Sequence, residues 1–261
     1  TYLGKTDFYD FQLSSTLGYD EDSVRRIKAE DSVLDAEGSF RADALASIAG
    51  SDDLAVTFLS LPQRINMPQL MEGRLPEAPD ECLLDEQAHG VPLGVKVILS
   101  AANDEDTLEL FAEKRFTVVG ICNSPLYLNY ERGNTSIGSG SVSAFIYVPP
   151  ESFETDYYTS VYITTENMPE PWSEAYDSRS EALEDGITAI AEAAAKERRD
   201  GIVADAEAEL NLTAADLTKQ NIFWVKDKYL ARAWSGYTST KRSGNEYAQE
   251  GDGWRGDPHE F

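Results

Sequence analysis

Apolar positions along the chain keep two spacings, and the elements follow from where one spacing gives way to the other. Asp20 stands ahead of a short stretch ending at Glu30. Glu21 and Asp22 lie in its first turn and Arg25, Arg26 and Lys28 later, an order that suits the helix dipole and makes Asp20 the N-cap. Val33–Ile48 and Leu54–Leu61 read as strands on either side of the turn Ala49-Gly50-Ser51-Asp52-Asp53, and Pro62 closes the second. A middle block then predicts short strands at Cys82–Leu84, Val95–Leu99, Thr107–Ala112 and Arg115–Cys122, broken by Pro76, Pro79, Gly90, Pro92 and Gly94. The Gly/Ser-rich stretch from Gly133 to Ser141 predicts a mobile loop. Strand patterning resumes at Val142–Val148 and Thr159–Thr165.

From Glu174 to Leu210 the period lengthens. Leu183, Ile187, Ile190 and Ala194 form one stripe of an Ala/Glu-rich helix, the longest in the chain. Gly201 costs such a helix roughly 1 kcal/mol, but Ile202, Ala206 and Leu210 keep a four-residue step, so the helix is expected to continue through it. Thr213–Gln220 predicts a short helix and Ile222–Val225 a strand. Ser235–Phe261 has no period and reads as a loop or poorly ordered terminus. No fixed-length repeat is visible, which leaves a solenoid or propeller unsupported.

Composition narrows the function. The 261 residues are 41% hydrophobic, with 10 Phe, 4 Trp and 13 Tyr, enough to bury a sizeable core. Against 47 Asp and Glu stand 22 Lys and Arg, a net charge of −25 that repels nucleic-acid phosphates and anionic lipid headgroups. Apolar runs such as Val56–Leu61 and Val95–Leu99 fall far short of the ~20 residues of a membrane-spanning helix. Thr1–Gln12 lacks both a basic start and an apolar signal core, which reads as a trimmed or processed piece.

Candidate chemistry is sparse. Cys82 and Cys122 sit in strand-like apolar stretches and read as two buried free thiols, with a single bridge as the alternative if their strands pair. As nucleophiles both are poor: Cys82 lies among Glu81, Asp85 and Glu86, which raise a thiol pKa. The two histidines, His89 and His259, accompany no Gly-x-Ser-x-Gly elbow. Gly138-Ser139-Gly140 lacks the Lys-Ser/Thr of a phosphate loop, and Asp20-Glu21-Asp22 and Asn103-Asp104-Glu105-Asp106 read as solvated acidic turns rather than calcium loops. Acid-base hydrolysis by paired carboxylates ranks last, resting only on the number of Asp and Glu. Phe145 and Tyr147 share one strand face, and Tyr158 and Tyr162 share another, as packing residues do. For Tyr127 and Tyr130 beside Arg132 a recognition surface is the alternative, with core packing weighted above ligand contact.

Several segments together resemble one family. Asn66-Met67-Pro68-Gln69-Leu70-Met71-Glu72-Gly73-Arg74-Leu75-Pro76 and Asp80-Glu81-Cys82-Leu83-Leu84-Asp85 are similar to the MacB/FtsX-like ABC transporter permeases. The likeness continues at Phe116–Ile121, Asn123–Leu128, Glu131-Arg132-Gly133-Asn134-Thr135-Ser136-Ile137-Gly138 and Phe145–Pro149, in order over residues 8–225. The stretch from Arg132 to Gly138 is more distinctive than the Glu-Gly-Arg-x-Pro turn.

This resemblance implies an extracytoplasmic domain held between the first and second membrane helices of a Gram-positive-type permease, at the outer face of the cell membrane. The implied fold is α+β: a mixed porter-like α/β layer, an inserted smaller β-rich lobe and one long helix or helical insert. The porter-like lobe would take 1–61 and 142–228, with a helical insert at 174–220; the β-rich lobe would take 62–141, and 229–261 would be a divergent tail in which Arg232 and Gly236-Tyr237-Thr238-Ser239 approach the second membrane helix. ATP would act on a separate cytoplasmic subunit, with no cofactor in this domain and no enzymatic turnover of its own. The intact transporter would be dimeric, handling substrate or an extracellular peptide or protein. Tyr127, Tyr130, Arg132 and Ser136 are the expected rim of a cleft between the lobes. The alternative is a sensor that captures a cationic peptide through the −25 charge.

Overall fold

The structure, a computed structural model, describes residues 7–169, 173–209 and 238–241, with side chains placed for all but 207–209 and 238–241. In chain order the elements are β1 (Phe11–Tyr19), α1 (Glu21–Lys28), β2 (Val33–Ser39), β3 (Arg41–Ile48), β4 (Leu54–Ser60), β5 (Gln69–Gly73), β6 (Glu81–Asp85), β7 (Lys96–Leu99), α2 (Glu105–Glu109), β8 (Arg115–Asn123), β9 (Ala144–Val148), β10 (Tyr158–Thr165), α3 (Glu174–Glu209) and β11 (Thr238–Lys241). The class is α+β.

The first body is a four-stranded antiparallel sheet ordered β11-β1-β10-β2. Alternation along β1 turns Phe11 and Leu13 to one face, where they meet Val161 and Ile163 of β10, Val24 and Ile27 of α1, and Ile187, Ala191 and Ala194 of α3. The expected stripe of α3 is the buried one, and the helix runs through Gly201 to Glu209. Asp20 caps α1, its Oδ1 accepting the Ser23 N–H at 2.7 Å.

The second body is a barrel. β8, β6, β9, β4, β3 and β7 pair in turn, and β7 pairs back onto β8 through Lys96↔Thr117, Val97↔Phe116 and Ile98↔Arg115. β5 continues the same edge of β8 beyond β7, with Gly73 opposite Gly120. Alternation sends Ala42, Ala44, Ala46, Val56, Phe58, Cys82, Leu84, Val97, Phe116, Val118 and Ile146 inward, so large and small side chains fill the interior. Phe40, Phe111 and Phe153 pack together over this core, with centroids 4.4 Å apart for Phe40–Phe153 and 5.3 Å for Phe111–Phe153.

Three readings of the sequence change here. Val33–Ile48 is two strands in different bodies: β2 pairs with β10, β3 with β4, and the chain crosses over at buried Phe40. The crossover is fastened by Ser60, whose N–H donates to the Phe40 carbonyl and whose hydroxyl accepts the Phe40 N–H, each at 2.9 Å. Thr107–Ala112 is not a strand. Asp104 accepts the Thr107 N–H at 2.7 Å and starts the single helical turn α2, after which Phe111 bridges to Phe153. In the tail, Thr238–Lys241 is a strand, because β1 offers it a free edge. The predicted elements Thr213–Gln220 and Ile222–Val225 lie outside the described residues, as do Arg232, Gly236 and Tyr237.

By strand pairing the inserted body runs from Arg41 to Val148, between β2 and β10 of the four-stranded sheet. The expected lobe limits at 61/62 and 141/142 both fall inside it.

Candidate functional site

The outer wall of the barrel carries a second, smaller apolar cluster. Residues one step out of phase with the interior, Leu59, Leu83, Phe145 and Tyr147, face outward with Cys122 and are covered by Leu61, Leu126 and Tyr127. The cover is the segment 124–142, a strap leaving the end of β8. Ser124 starts it: its hydroxyl accepts the Leu126 N–H at 3.2 Å and lies 2.7 Å from the Tyr147 hydroxyl, while its carbonyl accepts the Tyr127 N–H. Tyr127 then stacks on Phe145, centroids 4.8 Å apart and planes 3° from parallel. Burial raises the Tyr127 hydroxyl above its ordinary pKa, and raises that of Tyr147 well above.

Arg132 anchors the strap. Its Nε donates to Asp85 Oδ2 at 2.5 Å and its Nη2 to Asp85 Oδ1 at 2.9 Å, a two-pronged pair between groups 6% and 0% exposed. Nη1 donates to the Asn129 carbonyl at 2.5 Å, and the guanidinium carbon lies 5.4 Å from the Tyr127 centroid and 5.3 Å from that of Phe145. Asp85 also accepts the Gln87 N–H at 3.0 Å. The Gln87 amide, oriented by its partners, donates to the Tyr130 carbonyl at 3.0 Å and accepts from Arg132 Nη2 at 3.3 Å. A buried charge is tolerated when its remaining hydrogens are bonded, and here all three guanidinium nitrogens of Arg132 donate.

Beyond Arg132 the strap folds back on itself. Asn134 bridges to Ser141, the Thr135 N–H reaches the Gly140 carbonyl at 3.1 Å and the Val142 N–H the Gly133 carbonyl at 3.0 Å. Gly133, at φ 100°, makes the bend that lets the chain leave a buried Arg132.

The four residues expected at one rim are thus divided. Tyr130 is 84% exposed and Ser136 is exposed, Tyr127 is half-buried, and Arg132 is internal. The interior position of Arg132 has a physical reason: the outward-facing Asp85 at the end of β6 is covered by the strap, and the guanidinium balances its charge there. None of the four lines the crevice between the two bodies, which is formed by Gly38, Ser39, Ser60, Asn66, Tyr147 and Tyr162 among others. Sequence reading missed Asp85 as Arg132's partner, and it missed Leu128, 57% exposed on the strap.

The remaining chemical candidates are absorbed into structure. Cys82 points into the barrel and Cys122 lies in the outer cluster; both are free, and burial raises both thiols well above their ordinary pKa. The acidic turns are helix starts, with Asp20 and Asp104 as caps. Glu81 is held by Arg74 and Asp85 by Arg132. His89 is exposed. Among the described residues no group of three His, Cys, Asp or Glu is placed to hold a metal ion, and no helix is long and apolar enough to cross a membrane.

No family model and no curated protein matches the chain. Solved structures align with it in part. The extracellular domain of the noncanonic ABC-type transporter YknZ from Gram-positive bacteria does so at 14% identity over 65% of this chain and 87% of that one, with a TM-score of 0.41. The periplasmic region of MacB from Actinobacillus actinomycetemcomitans aligns at 10% identity over 69% and 83%, with a TM-score of 0.40. A domain of a putative permease from Porphyromonas gingivalis aligns at 10% identity over 70% and 78%, with a TM-score of 0.37. The chain is similar to these transporter and permease domains, the class of protein that its sequence segments resemble.

Proposed function

We propose that the chain is the extracytoplasmic domain of an ABC transporter permease, which docks or handles a polypeptide partner outside the membrane while a separate cytoplasmic subunit hydrolyses ATP. The observation that carries this reading is the pairing of β1 with β11. Phe11 opposes Lys241 and Ser14 opposes Thr238, so the chain enters and leaves at one end of one sheet. A domain inserted between two consecutive membrane helices needs its two ends side by side in this way. The resemblance of residues 66–85 and 116–138 to MacB/FtsX-like permeases supports the same reading. In it, two permease chains dimerise through the membrane and the domain needs no cofactor.

The charge of −25 favours a second reading, capture of a cationic peptide, because opposite charge speeds encounter.

The test is accessibility in the intact permease. Ser136 is exposed, so Ser136→Cys should react with a membrane-impermeant maleimide in whole cells or spheroplasts. Labelling only after the membrane is breached would refute an extracytoplasmic domain.

A further inference from the structure

Along the strap, anchored and exposed positions alternate. Tyr127 is stacked on Phe145, the Asn129 carbonyl is held by Arg132, and Arg132 is locked to Asp85. Between these fixed points stand Leu128 and Tyr130, 57% and 84% exposed. Two large apolar side chains are therefore presented to solvent from a backbone whose ordering cost has already been met in the folded state. A tyrosine on a rigid base is what a contact hot spot uses, and an aliphatic neighbour such as Leu128 helps to exclude water around it.

Within the strap the exposed full charge is negative, and Arg41, the β3 cation that acts on the Tyr127 hydroxyl, is paired with Asp43 at 3.6 Å. The strap's ionisable residues between 124 and 141 are Tyr127, Tyr130, Glu131 and Arg132, and its cation is sequestered by Asp85, leaving Glu131 exposed without a compensating cation in the strap. A second copy of this chain would bring like charge against like, −25 against −25, and is disfavoured.

We infer that Leu128 and Tyr130 form a preformed contact knuckle for an amphipathic basic polypeptide, an apolar stripe flanked by Lys or Arg, with Arg132 and Asp85 as positioning residues that hold it in place. This rests on the docking reading above and gives that reading a site and a partner chemistry.

The probe is a synthetic amphipathic helix of leucine and lysine, with its leucine/glutamate counterpart as control, titrated into the whole purified chain and followed by amide chemical shifts. The expected result is binding of the lysine peptide alone, with shifts centred on 127–132. Tyr130→Ala and Leu128→Ala, both at exposed positions, should each weaken it about tenfold or more. Glu131→Gln should weaken it a few-fold and flatten its salt dependence. Arg132→Lys, which keeps the charge but loses the two-pronged bond, should weaken it although both contact side chains remain. No binding, equal binding by the Tyr130→Ala and Leu128→Ala variants, or shifts spread over other acidic faces would overturn the inference. Any of these alongside outside labelling of Ser136→Cys would remove the knuckle and leave the extracytoplasmic domain standing.

Discussion

Asp85 and Arg132 lie 47 positions apart and meet as a buried two-pronged ion pair that fastens the strap to the barrel wall. Truncating one partner leaves the other charge in a dry site. Arg132→Ala is therefore expected to cost about 3–5 kcal/mol in urea unfolding. The Asp85→Ala/Arg132→Ala double variant should lose less than the sum of the singles, because neither then strands a charge. A loss below about 1 kcal/mol for Arg132→Ala would contradict the buried pair.

Glu81 accepts both Nη atoms of Arg74 and the Glu77 N–H, and the Arg74 bonds chiefly hold its carboxyl down at about 2. With the folded pKa below the ordinary 4.5, the contribution of Glu81 to stability is complete above 4.5 and is lost as pH falls from there through about 2. Its size is small, since Arg74 is half-exposed and salt screens the pair. A carboxyl NMR titration should place the midpoint near 2 and move it up toward 4.5 in Arg74→Ala. A midpoint near 4.5 in the unaltered protein would count against the pairing.

Cys82 and Cys122 lie on opposite faces of the barrel wall, one in the interior cluster and one in the outer. Burial keeps both protonated. A thiol reagent at pH 8 should modify neither in the folded protein and both in denaturant, and mild oxidation should leave two free thiols. An internal disulfide would show that the wall is not built this way.

Gly38 in β2 leaves no room for a side chain, because an added Cβ would lie 2.3 Å from Cδ2 of Tyr158. Tyr158 in turn donates its hydroxyl to Glu21 at 2.9 Å, tying β10 to α1. Gly38→Ala should therefore destabilise by about 1–3 kcal/mol, through displacement of the ring. In a Tyr158→Ala background the same substitution should cost much less, and an unchanged cost there would point to backbone strain instead.

How much of this was legible depends on how local each feature is. The α1 cap at Asp20 and the α3 stripe were readable because a cap and a period lie within one or two turns of sequence. The helix α2 was not, since five residues are too few to show a period and its Thr-Leu-Glu-Leu-Phe neighbourhood alternates like a strand. Leu128 went unremarked for a related reason: burial of a loop residue is set by what the loop covers.

Sequence alone therefore determined the positions of most strands, the long helix, the acidic surface and the lack of a recognisable catalytic motif, because each follows from neighbours along the chain. The tertiary structure decided which strands pair. It split Val33–Ile48 between two bodies at Phe40, closed the barrel where β7 returns to β8, and turned Arg132 inward to Asp85. Those outcomes depend on hydrogen-bonding edges and buried charges brought together from distant positions, and no spacing along the chain encodes which edge or charge will be met.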